Sequence, residues 1–144
     1  MSVQAILLPV FAQVLLIFLL ALWMLQVRAA ALRGVDVHPR DVIFGQATWP
    51  ERTVLVSNSF HNQLQLPFLF FVLVILAMMT KKADLLFVVM SWVFVASRIL
   101  HIAVHTGSTN LARRFGAFAI GAAVLLAMWV IFALRILLAG LEPM

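Results

Sequence analysis

Residues 3–27 of the chain contain no charged side chain, and neither do residues 115–134. Crossing the roughly 30 Å of bilayer hydrocarbon takes about 20 apolar residues in a helix, each adding about 1.5 Å. In lipid, a stretch of this kind closes its backbone hydrogen bonds only as a helix. Two further stretches qualify, at roughly 54–80 and 83–105. Of the 144 residues, 65% are hydrophobic and 10% charged. An average soluble domain carries about 25% charged residues, so a water-soluble fold could not cover this much apolar surface. The expected fold is an all-α integral membrane protein, a four-transmembrane-helix up-down bundle. It forms a single domain over 1–144, with helices at about 3–30, 54–80, 83–105 and 111–139.

A signal peptide is the rival reading of the first stretch, because Arg28 is followed by Ala29, Ala30 and Ala31. The stretch is too long for an h-region and lacks a basic n-region, which favours a retained helix. The one sizeable loop, about 31–53, is punctuated by Gly34, Pro39, Gly45 and Pro50, residues that mark turns. The other links, at 80–82 and 106–111, are short enough to make consecutive helices antiparallel. No cysteine is present, which removes disulfides, thiolate metal sites and a thiol nucleophile.

The net charge of +5 comes from Lys and Arg residues placed almost entirely between or at the ends of apolar stretches. That placement suits membrane topology and not phosphate binding, so no nucleic-acid partner is expected. Arg28, Arg33, Arg40, Arg52, Arg113 and Arg114 share one side, and Lys81, Lys82 and Arg135 the other. An excess of basic residues in short loops marks the cytoplasmic side. Both termini are then non-cytoplasmic, in a multi-pass protein of the cell membrane, which in a bacterium is the inner one.

Polar groups inside spanning helices are costly and point to function. In the second helix Asn58, His61, Asn62 and Gln65 recur at helical spacing on one face, and in the third Arg98, His101 and His105 do the same. The second helix starts on the Arg-rich side and the third ends there, so both stripes lie at one depth, near Arg28 of the first helix and Arg114 of the fourth. Pro67 follows the first stripe and removes the usual partner of the Gln63 carbonyl, which predicts a kink or widened groove. Small residues in the fourth helix, among them Ala117, Gly121 and Ala122, permit close helix contact. No acidic residue in these motifs neutralises Arg98, which suits an external anion.

These residues carry a resemblance. Glu51-Arg52, the segment 58–62 and the run NQLQLPFLFF at 62–71, together with Arg98, His101, His105, Asn110, Arg114 and Phe118 at offsets of three, seven, twelve, sixteen and twenty, make the chain similar to the MAPEG family. These are membrane-associated proteins of eicosanoid and glutathione metabolism, and the likeness covers nearly all of the chain. It implies a homotrimer with glutathione as cosubstrate, lying in a cavity between subunits near the cytoplasmic face. It further implies a glutathione-dependent transferase or peroxidase acting on lipophilic electrophiles. Carried over, Asn62, Arg98 and Arg114 match family positions, and Arg28 matches more weakly. In that scheme Arg28, Arg98 and Arg114 hold carboxylates, and Asn62 and Gln65, with Asn58, His61 and His101 nearby, complete the ligand site. His105 is the candidate to activate the thiol.

The departures from the family pattern fall on chemistry. Gln65 stands where members have Glu, Asn58 and His61 replace arginines, His105 replaces a Tyr, and Asn110 occupies the place of a thiolate-stabilising Arg. The alternative is therefore a non-catalytic, lipid-binding or membrane-organising member whose polar cluster holds the assembly together. His61, His101 and His105 also suggest a histidine metal site. Without carboxylate or cysteine ligands this is the weakest reading, and no metal is expected. Membrane lipid and further copies of the chain are the expected partners.

Overall fold

The computed structural model describes residues 1–34 and 37–139. Its helices are α1 (Val3–Arg33), α2 (Pro39–Ile43), α3 (Glu51–Met79), α4 (Leu85–Gly107) and α5 (Leu111–Ala139). Four of them are long and apolar enough to cross a membrane, and α2 is a single turn within the first loop. Several helices run past the apolar stretch that marks them in the sequence, because hydropathy reports where lipid begins and not where backbone hydrogen bonding stops. Glu51 opens α3 directly after Pro50, a favourable place for an acid because of the positive end of the helix dipole. In α2, Pro39 occupies the first turn, where its missing N–H leaves no bond unmade.

Side-chain contacts fix how neighbours run. Along α1 and α3, Gln13 meets Gln63 and Arg28 meets Ser57. Along α4 and α5, Asp84 meets Arg135, Arg98 meets the Phe118 carbonyl, and His105 meets Arg114. In both pairs later residues of one helix face earlier residues of the other, so each pair is antiparallel. The helix α3 touches α1, α4 and α5.

The interior divides by chemistry along the helix axes. Toward the α3–α4 turn it is apolar, built on Phe70, Leu73, Phe87, Phe94 and Met128, with the Phe70 and Phe94 rings stacked at 4.8 Å. Toward the other end the buried residues include the polar Gln13, Ser59, Gln63, Ser97, Arg98, His101 and His105. At the boundary, the Gln13 amide donates to the Gln63 carboxamide oxygen (3.2 Å), and the Gln63 amide donates to the Arg98 carbonyl (3.3 Å). Both glutamines are fully buried. Hydrogen bonds of this kind between helices in a membrane contribute about 0.6 kcal/mol on average, but the stronger effect is that both amide nitrogens and the Gln63 oxygen find partners in a dry interior, the Gln13 oxygen having none among the described residues. The tie links α1, α3 and α4.

Helix length sets depth. His105 follows Asp84 by 21 residues, roughly 31 Å along α4 and so the full hydrocarbon thickness. Arg98 follows it by 14, roughly 21 Å, and therefore lies inside the hydrocarbon.

At the α3–α4 turn Asp84 caps α4 by accepting from the Phe87 N–H (2.9 Å) and pairs with Arg135 at 2.7 Å. The hydrogen bond from Arg135 holds the Asp84 carboxyl below its ordinary value, against a smaller opposing effect of burial. A lowered carboxyl pKa in the folded state adds stability that is complete above the ordinary carboxylate range and is lost as pH falls through the lowered value. Asn caps helices as well as Asp does, so Asp84→Asn isolates the ion pair. Thermal unfolding in detergent is expected to show Asp84→Asn less stable than wild type near neutral pH by up to about 1 kcal/mol, as for a partly exposed pair. The gap should close in acid. Asp84→Ala loses the cap as well, about 1 kcal/mol more.

Candidate functional site

The α4 stripe faces inward. His101 and His105 are buried one turn apart, with ring centroids 5.1 Å from each other. From α3, Asn62 brings its amide to 3.2 Å from His105 Nε2. From α5, Arg114 brings Nη2 to 2.8 Å from the same nitrogen and 3.2 Å from Nδ1. Arg114 reaches this place because Asn110 caps α5: its side-chain oxygen accepts from the Arg113 N–H (3.1 Å). The helix therefore starts where its first turn overhangs His105.

Nη2 of Arg114 thus lies against the imidazole between its two nitrogens, and the Asn62 amide approaches the ring at Nε2, so a cation and an amide both engage His105.

Around these groups lies a groove of about 390 Å³, lined by Asn62, Gln65, His101, His105, Leu111, Arg114, Phe115 and Phe118. That is within the range of small-ligand sites. One wall is polar. The other is apolar, with Leu111 79% and Phe115 70% exposed, so the groove suits a ligand with a polar part and a lipophilic part.

Arg98 is not on this wall. It is fully buried behind it, between the rings of Phe94 (5.5 Å) and Phe118 (5.9 Å). Its Nε donates to Ser97 Oγ and Nη2 to the Phe118 carbonyl, both at 3.4 Å, while Nη1 has no partner among the described residues. No carboxylate accompanies it, since the one ion pair among the described residues is Asp84–Arg135. The guanidinium lies so close to Gly121 that a Cβ built there would overlap it.

Of the residues singled out in the sequence, Asn62, Gln65, His101, His105 and Arg114 meet at the groove, and Arg98 backs it through Phe118. Arg28 lies elsewhere, donating to Ser57 Oγ (3.3 Å) and sitting 5.2 Å from the Trp49 ring. Asn58 and His61 are exposed, and the His61 Nδ1–H donates to the Ser57 carbonyl of its own helix (2.8 Å). Among the described residues the three imidazoles do not gather into a group able to hold a metal ion. Sequence reasoning passed over Gln13, Ser59, Gln63 and the role of Gly121. The spacing of Gln13 from Ile6, Pro9 and Leu20, all buried, was the available signal for the first.

A model of the MAPEG family matches residues 6–134. The chain belongs to the MAPEG family. Neither a curated protein nor a solved structure matches it. Family membership makes it a multi-pass membrane protein of the eicosanoid and glutathione metabolism family, and the His105 groove lies within the matched region.

The contact between Arg98 and Gly121 yields a test within one helix. Gly121→Ala is expected to lower stability by about 1–3 kcal/mol, as for an overpacked core, in thermal unfolding of the detergent-solubilised protein. A Cβ on Gly116 meets nothing within 4 Å, so Gly116→Ala should be neutral or stabilising through helix propensity.

Proposed function

We propose that the His105 groove binds glutathione and that the protein is a glutathione-dependent transferase or peroxidase acting on lipophilic electrophiles. The observation that carries this reading is an imidazole engaged by a guanidinium and an amide, set in a groove with one polar and one apolar wall. In this scheme Arg114 turns from His105 to a glutathione carboxylate, and the neutral imidazole takes the thiol proton, a role suited to that side chain. The thiolate attacks an electrophile lying against Leu111 and Phe115, forming the new bond to sulfur as the bond to the leaving group breaks, and the proton on His105 passes to the departing group or to water, while Asn62 and Gln65 hold the peptide. His101 completes the lining, and Arg98 supports the site from behind.

The site is completed, in this proposal, by other copies of the chain in a homotrimer. Asn58, His61 and Gln65 are exposed on α3 within the length assigned to a spanning helix. Lipid cannot satisfy such groups, whereas a neighbouring subunit can. Arg28, Asn58 and His61, separate from the groove within one chain, then reach it from a neighbour. In this reading the groove faces the cytoplasm and both termini the other side, which the basic residues of the loops favour.

A non-catalytic, lipid-binding or membrane-organising member is the second reading, favoured by one observation: Arg114 and Asn62 engage His105 within a single chain. Glutathione separates the two. Millimolar glutathione is expected to raise the unfolding temperature of the detergent-solubilised protein, which should also conjugate a chlorodinitrobenzene-type electrophile. His105→Phe should abolish conjugation while keeping glutathione-dependent stabilisation. Asn62→Ala and Arg114→Ala should each weaken that stabilisation about tenfold in affinity, the scale of a lost hydrogen bond to a charged group. Absence of both stabilisation and conjugation in wild type assigns the second reading.

A further inference from the structure

The α3–α4 turn, at the end of the molecule opposite the His105 groove, closes in a helix-terminating motif. The Lys82 N–H donates to the Ala77 carbonyl (2.9 Å) and the Lys81 N–H to that of Met78 (3.1 Å). The motif puts Lys81 in the left-handed region at φ 56, the one non-glycine residue so placed among the described residues. Glycine ordinarily fills this position, because a side chain there costs roughly 1 kcal/mol. The chain keeps a lysine where its backbone favours glycine, which points to the side chain.

The charge at this end is unbalanced among the described residues. Asp84 is the one acid nearby, and its carboxylate is engaged by Arg135 and the Phe87 N–H. Arg135 is further fixed by donating to the Lys82 carbonyl (3.4 Å). Among the described residues neither Lys81 nor Lys82 has an ion-pair partner. Beside them lies a cavity of about 630 Å³, lined further by the Asp84–Arg135 pair and by Ile131, Leu134 and Leu138. Those three recur at helical spacing along one face of α5. A second cavity, of about 250 Å³, lies on another side of Lys81 against Val3, Ile6 and Met78. Lys81 lines both. A cationic rim at the membrane boundary, with apolar grooves beside it, has the shape of a phospholipid reversed in charge.

We propose that the α3–α4 turn is a binding site for an anionic diacyl phospholipid of the leaflet opposite the His105 groove. Lys81 and Lys82 engage the phosphate, and the acyl chains lie along α5 and α1. Charge complementarity selects this occupant: a zwitterionic headgroup brings its own cation to the lysines, and a protein segment would need acids in place of phosphate. The site is independent of the glutathione reading.

Native mass spectrometry of the detergent-solubilised full chain tests it, with phosphatidylglycerol and phosphatidylcholine of identical acyl chains as probes. Wild type is expected to retain phosphatidylglycerol in preference to phosphatidylcholine, and phosphatidylglycerol should raise its unfolding temperature. Lys81→Gly/Lys82→Gln should lose the preference by roughly tenfold, on the scale of a basic residue at an anionic surface. Lys81→Gly alone should fold at least as stably without lipid, since glycine relieves the left-handed position, and should still bind anionic lipid less well. Equal retention of both lipids by wild type, or an unchanged preference in the double variant, would overturn the proposal. Displacement of phosphatidylglycerol by inorganic phosphate would also overturn it, assigning a free-anion site instead.

Discussion

Arg98 carries its charge into the hydrocarbon without a carboxylate, and the packing around it follows from that. Desolvating a cation is expensive unless other groups replace water. Two aromatic faces, a serine hydroxyl and the Phe118 carbonyl take that part. The remaining side is backbone, because Gly121 lets α5 approach the guanidinium where any side chain would collide. The α4–α5 approach at this level is thus set by a charge. One consequence is distant from it: α5, held there and capped at Asn110, presents Arg114 to His105.

The division of the interior into an apolar half and a polar half has a similar origin. Phe70 and Phe94 stack where α3 and α4 are deepest among apolar neighbours. Two turns or so nearer the Arg-rich end, the Gln13–Gln63–Arg98 carbonyl tie begins a polar section that continues to His105. In a dry interior each such group has to be matched by another of the right kind, which favours one relative placement of the helices over many. The groove beside His105 inherits that order. Its polar wall is the outer surface of that polar section, and its apolar wall is the start of α5.

Much of this was legible in the sequence. The four spanning stretches follow from hydropathy alone, and the α4 stripe of Arg98, His101 and His105 does point inward. The α3 pattern was harder. Asn58, His61, Asn62 and Gln65 form a face, but periodicity does not say which neighbour a face meets. The buried side of α3 is the one with Ser59, Gln63, Pro67 and Phe70. Asn62, at the margin between the two, is the member of the stripe that reaches His105. Helix ends were similarly hidden at Glu51 and Gly107, since caps and prolines set them and lipid thickness does not.

Composition and spacing sufficed for the number of spanning helices, the polar residues they carry, the common depth of those residues and the family pattern. All of these depend on distance along a helix, which rises by a constant amount per residue. Rotation and approach between helices depend on which side chains meet. Only the packed structure placed Arg98 behind the groove, turned Arg28 toward Ser57, and joined Gln13 to Gln63. Those contacts are made between residues far apart in the chain, where local periodicity carries no information.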